Sequence, residues 1–467
     1  MSPPSRRDAL RLAGLAGVSA LAGCRSVTPW SGPNEQPPRS VGTSWSPSAE
    51  TWRFPHGDLR NTASSPHGVQ TAPSVAWQDS FDGGRSTTPT GAIVAATPER
   101  VITARRFGSE VQLHAEDATD GTRRWSRWIV YPPDGRTPTF GGLVDGTVYV
   151  TDGGTDVVAV DASDGTVRWR RSLYDRVADS VPDKYLSVAG SPAEFAARAL
   201  ATPEIVYVQS SYGVHGIAPR DGTEQWRLYL GAHHDADALE EPRGLAVADR
   251  RIWAVYDGTV QSLFTIELSD GQPEIERVPS PLQSPSRPVV PGYRDAVFTH
   301  DIVWASKPQE TLAVGTTDEG AEWEFPGHTG SGGVAYSSLA TDGERVFVCV
   351  SHEQQDRLLV FALHASTGKL DWLFREPLAD RDASPSDSGE FRLCRPAVTG
   401  DCLVVGYGTL PETAAGRGEI VAISRTDGRV CWRTSLRLAP CSVSMTSARL
   451  FVTGRQGGVV ALTEESG

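Results

Sequence analysis

Cysteine offers the most varied chemistry in this 467-residue chain, which carries it at 24, 349, 394, 402, 431 and 441. No two cysteines are adjacent and no Cys-x-x-Cys-His occurs, so covalently attached haem is not expected. Cys394 and Cys441 stand at equivalent distances before two apolar runs, Leu403-Val404-Val405 and Leu450-Phe451-Val452, and should begin neighbouring inner strands. A disulfide between them is permitted outside the cytoplasm, whereas equivalent positions in adjacent units argue for too wide a separation. Cys349, Cys402 and Cys431 read as small buried hydrophobes on strands. His233-His234-Asp235 with Asp237, Glu240 and Glu241 offers ligands for a divalent metal, and an acidic loop explains the same composition. No Gly-x-Ser-x-Gly turn and no Walker-type phosphate loop is present.

The first residues carry an address. Arg6-Arg7 precedes a short apolar run from Leu12 to Gly23 that ends in Leu21-Ala22-Gly23-Cys24. The run is shorter than the about 20 apolar residues a membrane span needs, and it fits a secretory signal with a small-residue cleavage site. The paired arginines resemble a twin-arginine signal, and Leu-Ala-Gly-Cys resembles a lipobox. Residues 1–23 are therefore expected to be a removed signal peptide, with Cys24 lipidated and residues 24–51, rich in Ser, Pro and Gly, a flexible tether. A net charge of −13, with only Lys184, Lys307 and Lys369 among 44 basic residues, argues against nucleic acid or a polybasic membrane patch as the partner.

Short segments recur through the rest of the chain. Asp120-Gly121 precedes Trp125, Asp164-Gly165 precedes Trp169, Asp221-Gly222 precedes Trp226, and Asp427-Gly428 precedes Trp432. Thr367-Gly368 before Trp372, Gly320 before Trp323 and Asp270-Gly271 before Ile275 are variants. Ten residues before each slot stands a small residue: Ala115, Ala159, Gly216, Thr265, Ala313, Ala362 and Ala422. Apolar runs such as Val148-Tyr149-Val150 lie further upstream. Each unit thus reads as antiparallel strands with a glycine turn before the Trp strand, glycine supplying the positive φ. The register marks these Asp-Gly pairs as hairpin turns rather than calcium loops.

The last unit, Val459–Leu462, lacks its Trp strand, and Val75-Ala76-Trp77 lies 48 residues before Trp125, one period upstream. Trp77 is thus an eighth slot, donated by the N-terminal end to the last unit. Seven tryptophans (77, 125, 169, 226, 323, 372 and 432) are expected to dock between units, a small residue on the neighbouring surface giving each ring room. Of the others, Trp128, Trp253 and Trp304 are candidates for a binding surface.

The pattern Ala-x-Asp-x-x-Asp-Gly-x-x-x-Trp, whole at Ala159–Trp169, resembles the tryptophan-docking repeat of the PQQ-like, or quinoprotein-type, β-propellers. Trp52, Gly57-Asp58 and Arg60-Asn61-Thr62 look like the segment that opens many such domains. The resemblance implies an all-β fold over residues 52–467: an eight-bladed β-propeller of four-stranded antiparallel blades, its ring closed by an N-terminal strand.

Two functions share that fold. Quinoprotein dehydrogenases resemble one another in a vicinal cysteine pair, PQQ and calcium, and this chain has no such pair. BamB-like lipoproteins are non-catalytic scaffolds. The expectation here is a scaffold without cofactor, catalytic residues or metal, monomeric, lipid-anchored on the extracytoplasmic side and bound to other exported or membrane proteins. A PQQ/calcium dehydrogenase and a propeller binding a small ligand or glycan are the alternatives. The largest insertions, Tyr174–Phe195, Glu376–Phe391 and Thr409–Gly418, are either partner-binding loops or passive connections.

Overall fold

The computed structural model describes residues 50–464 apart from 56, 80–90, 108–109, 131–137, 175–195, 231–240, 249–250, 258–261, 268–272, 280–289, 291–295, 300–301, 305–310, 318–319, 327–333, 353–356, 378–389, 411–416 and 455–456. The described residues form eight sheets that follow one another along the chain. The first holds Gly91–Ala96, Arg100–Phe107, Glu110–Asp117 and Arg123–Val130; the second Thr139–Val144, Thr147–Thr151, Asp156–Asp161 and Val167–Ser172. The third holds Ala197–Ala201, Val206–Ser210, Gly213–Ile217 and Glu224–Tyr229; the fourth Glu241–Ala248, Arg251–Asp257, Ser262–Glu267 and Glu274–Pro279. In each of these, four strands run as a simple antiparallel meander.

Departures from the four-stranded expectation fall in the second half. The fifth sheet has three described strands, Ala296–Thr299, Thr311–Thr317 and Gly320–Pro326. The intervening Ile302–Trp304 pairs instead with Val334–Thr341, the first strand of the sixth sheet, which continues through Arg345–His352, Arg357–His364 and Leu370–Pro377. An edge strand offers unpaired backbone groups that a passing segment can take up. The seventh sheet, Ala397–Thr399, Cys402–Leu410, Arg417–Ser424 and Val430–Leu436, gains Glu390–Leu393 and Ser64–Ser65. Ser64–Ser65 pairs in parallel with Val398-Thr399. The eighth holds Pro440–Met445, Leu450–Gly454 and Val459–Glu464, and its fourth strand is Pro73–Asp79 from the other end of the sequence, with Trp77 opposite Ala461.

Burial explains the sequence pattern. Thr147–Thr151 and Val206–Ser210, second strands, are buried at every position, because both faces of the sheet are covered. Outer strands alternate, as in Val167–Ser172, where Trp169 is buried between exposed residues. First strands touch between the first and second, second and third, third and fourth, fifth and sixth, and sixth and seventh sheets, and Pro440–Met445 of the eighth touches Gly91–Ala96 of the first. There the Ile93 N–H donates to Ser442 Oγ at 3.0 Å.

Candidate functional site

All seven predicted docking tryptophans stand on the outermost strand of a sheet, the fourth in six sheets and the third described strand in the fifth, and six donate Nε1–H to a backbone carbonyl beyond that sheet. Trp77 reaches Ala118 O, Trp125 reaches Ala162 O, Trp323 reaches Ala365 O and Trp372 reaches Arg425 O, each at 3.0 Å. Trp169 reaches Pro219 O at 2.8 Å. Trp432 instead reaches Val69 O of the N-terminal segment, at 3.2 Å. Trp226, 1% exposed, has no acceptor among the described residues; the corresponding turn of the fourth sheet lies outside them. Turn glycines are the platforms for five of these rings: Gly121 for Trp77, Gly165 for Trp125, Gly222 for Trp169, Gly368 for Trp323 and Gly428 for Trp372. Gly165 has φ +76°, and a Cβ there would lie 2.7 Å from the Trp125 ring. The glycine is thus required twice, for the turn and for the close approach.

The small residue is not on the neighbouring surface, as expected, but directly opposite the tryptophan in the same sheet. Ala115, Ala159, Gly216, Ala362, Ala422 and Ala461 face Trp125, Trp169, Trp226, Trp372, Trp432 and Trp77. A Cβ at Gly216 would run into the Trp226 ring. In the fifth sheet the partner of Trp323 is Gly315 rather than Ala313, which faces Phe325. Every one of these seven ladders shifts register beside its tryptophan, whereas the ladder between the third and fourth strands of the fourth sheet, with Ile275 opposite Ile266 and Thr265 opposite Glu276, has no shift. A bulge re-aims a side chain, and it accompanies the ring that has to be aimed.

The feature that the sequence pattern missed is the course of residues 52–71. Trp52 exchanges two backbone hydrogen bonds with Ala96 of the first sheet. The Arg53 carbonyl then accepts from Leu143 in the second, Leu59 from Val247 in the fourth, Arg60 from Val290, Thr62 from Thr341 in the sixth, and Ala63 from Val398 in the seventh. The Gln70 and Thr71 N–H groups donate to the Glu464 carboxylate of the eighth. One segment therefore laces the ends of inner strands together in chain order. Asp58 shapes it, its carboxylate accepting from the N–H of Arg60 and from both N–H and hydroxyl of Thr62. Asn61 and Ala63 take positive φ, 56° and 51°, and Asn61 Nδ2 donates to Leu245 O. Such backbone persists only where surroundings over-determine it. The signal was present as Trp52, Gly57-Asp58 and Arg60-Asn61-Thr62, but nothing in its spacing told where its carbonyls would go.

Antiparallel alternation gives the sheets two unlike ends. One carries the connections from first to second and from third to fourth strands, hence the Trp-platform turns and the laced segment. The other carries the remaining connections, and there the strands flanking all three long insertions begin or end: Val167–Ser172 and Ala197–Ala201, Leu370–Pro377 and Glu390–Leu393, Cys402–Leu410 and Arg417–Ser424. At the laced end a polar cleft of about 590 Å³ is lined by Ser64, His67, Gln70, Asp401, Arg425 and Ser447, among others. Arg425 pairs with Asp342 and Asp401 at 3.7 and 3.6 Å, so neither charge dominates.

Two buried polar clusters lie inside the sheets. In the third, Ser210 Oγ is 2.8 Å from His215 Nε2, and His215 Nδ1 donates to Glu224 Oε1 at 2.8 Å. The geometry is that of an activated serine. Here, however, Ser210 is fully buried in a tight hairpin and its Oγ accepts from the Tyr212 N–H, so the chain of bonds clamps strands two, three and four.

The second cluster joins the eighth sheet to the first. Arg105, fully buried, donates to Asp79 Oδ2 at 2.6 Å and Glu116 Oε1 at 3.0 Å, with His114 beside it. Burial pushes the Glu116 carboxyl up from 4.5 to about 7 against the pull of Arg105. Burial, then Arg105 and Arg123, hold His114 down from 6.5 to about 3. Between about pH 4.5 and 7 the folded state keeps a proton on Glu116 that the unfolded chain has lost, so stability falls as pH rises. Between about pH 3 and 6.5 the unfolded chain holds a proton on His114 that the folded state refuses, so stability falls as pH drops. The slopes oppose one another across their overlap. Glu116→Gln removes one of them, and its stability relative to wild type should fall by about 1.4 kcal/mol per pH unit on acidification from 6.5 to 4.5. Urea midpoints that track wild type across that range would refute the assignment.

Arg6, Arg7, Cys24, Trp30, Trp45 and the His233–Glu240 cluster lie outside the described residues. Trp253 is 1% exposed and belongs to the core, not to a surface; Trp128 is 41% exposed on the outer strand of the first sheet. Trp304 stands on the strand that crosses to the sixth sheet, and its side chain is outside the described set. Cys349, Cys394 and Cys402 are buried free thiols, whereas Cys431 is exposed, contrary to expectation. No disulfide joins Cys394 to Cys441; burial drives the Cys394 thiol well up, and the nearby Cys441 adds to it. Among the described residues no three His, Cys, Asp or Glu side chains come together in a group that could hold a metal ion.

A family model described as outer membrane protein assembly factor BamB matches residues 108–372. The chain belongs to this family. Among solved structures, BamB from Moraxella catarrhalis is 16% identical with a TM-score of 0.51, over 85% of this chain and 99% of that one. Quinohemoprotein alcohol dehydrogenase from Comamonas testosteroni is 11% identical with a TM-score of 0.54, over 90% and 81%. A europium-containing methanol dehydrogenase is 10% identical with a TM-score of 0.55, over 89% and 98%. No curated protein matches. At these identities the likeness shows the fold, so this BamB-family chain is an all-β, PQQ-like propeller.

Proposed function

We propose that this BamB-family propeller is a non-catalytic protein-interaction scaffold, held on the extracytoplasmic side of a membrane by a lipid on Cys24 and assisting the assembly of exported proteins. In this reading the eight sheets are eight blades of a ring closed by Pro73–Asp79. The observation that carries it is the laced end: residues 52–71 are consumed in tying inner strands together, which favours a rigid frame with its long connections rooted at the opposite end. Loops on a rigid frame are where binding residues concentrate.

Replacing 175–195, 378–389 and 411–416 with short Gly/Ser linkers is expected to abolish cross-linked capture of partner proteins from intact cells while leaving the melting temperature within a few degrees. Undiminished capture would overturn the binding role of those segments. Cys24→Ser should leave the protein unprocessed or released to the medium, and unchanged membrane retention would remove the anchor. Reduction of a dye acceptor on adding PQQ, calcium and an alcohol or sugar would turn the reading to a quinoprotein dehydrogenase. Melting curves shifted by a panel of sugars would turn it to a ligand binder, with the cleft around His67 and Arg425 as the first place to look.

A further inference from the structure

We propose that Cys402 and Cys431 form a disulfide across the seventh sheet. Their Sγ atoms lie 2.7 Å apart although both are free thiols, well inside the ordinary contact distance of two sulfurs. The two residues sit on the second and fourth strands, which are not hydrogen-bonded neighbours. Two features bring them together. Cys402 stands opposite Ser424 on the intervening strand, a small side chain that leaves room above it. The ladder between the third and fourth strands then shifts register where Val430 faces Ile423 and Trp432 faces Ala422, leaving Cys431 as the unpaired residue of the bulge. The bulge turns Cys431 toward Cys402. The shift that aims the docking tryptophan thus also aims the thiol.

Exposure sets the order of the chemistry. Cys431 is exposed and Cys402 buried, so the oxidant, a small-molecule or protein disulfide, meets Cys431 first. The Cys431 thiolate attacks one sulfur of that disulfide, forming a mixed disulfide and releasing the other half as a thiolate. Cys402 then loses its proton and attacks Cys431 Sγ, closing the intramolecular bond and expelling the second thiol. Two protein thiols are oxidised by two electrons and one oxidant disulfide is reduced to two thiols. Burial of Cys402, whose thiol is pushed up to about 12, makes the second step the slower one.

The test uses the full chain, reduced, desalted and equilibrated with oxidised glutathione, then denatured and alkylated without reductant. Cys402 and Cys431 are expected in one linked peptide pair, two hydrogens lighter than the free thiols, with both alkylated once reductant is added first. Cys431→Ser should leave Cys402 alkylatable throughout. The proposal is overturned if both thiols are alkylated after equilibration, if Cys431 ends as a stable glutathione adduct beside a free Cys402, or if the link maps to Cys394 and Cys441 instead. None of these outcomes depends on the proposed location or partner.

Discussion

Deleting residues 52–79 is expected to abolish cooperative folding of this protein. The segment contributes Trp52, Phe54, Leu59, Val69 and Trp77, all buried, and the fourth strand of the eighth sheet. Burying one such aromatic or aliphatic side chain is worth about 1.5–3 kcal/mol, and a whole domain is stable by only about 5–15 kcal/mol. Its backbone also satisfies N–H groups in five of the sheets, from Ala96 to Val398, and each buried donor left without a partner costs about 1–3 kcal/mol. Asp79, the partner of buried Arg105, goes with it. The deletion variant should show neither a sharp thermal transition nor protease resistance. A narrower variant separates lacing from strand loss: Phe54→Ala keeps every strand and should cost about 3–5 kcal/mol. A deletion variant melting as sharply and as high as wild type would overturn the role given to the segment.

Trp226→Ala should have the largest effect of any docking tryptophan. With that of Trp253, its ring is one of the two largest fully buried side chains among the described residues, packed over Gly216 and tilted against Tyr207 with centroids 6.0 Å apart. Truncation removes the transfer energy and leaves a cavity, about 3–5 kcal/mol together. With the opposite position a glycine, nothing on that strand can swing in to fill the space. Trp128→Ala, at a half-exposed site on an outer strand, should cost about 0.5 kcal/mol or less. Urea midpoints at unchanged m-value decide the comparison, and equal losses at the two sites would refute the docking account.

Much of the fold was legible because its unit repeats. A glycine turn, a small residue and a tryptophan recur at nearly fixed offsets, and each has a local physical reason. The slots were placed on the right strands, and the donation of Trp77 to the last unit was foreseen from a missing strand and a spare one. The reason for the small residue was misread: offset along the chain does not say whether a residue ten positions back lies across the ladder or across a sheet interface. The bulge decides that, and it leaves Cys431 exposed and beside Cys402 where a strand pattern made it a buried hydrophobe. At Thr265 and Ala313 the spacing held while the pairing did not.

By itself the sequence determined the class of fold, the recurrence of a glycine turn before a tryptophan and the absence of a vicinal cysteine pair, because hydrophobic period, turn chemistry and residue identity are local properties. Only the tertiary structure decided that residues 52–71 lace inner strands together, that the strands flanking the three insertions share the opposite end, and that Arg105, Glu116 and Asp79 meet between the last sheet and the first. These contacts join residues far apart in the chain through backbone carbonyls and buried charges. A backbone carbonyl has no identity in the sequence, and the balance of a buried charge depends on neighbours that only folding supplies.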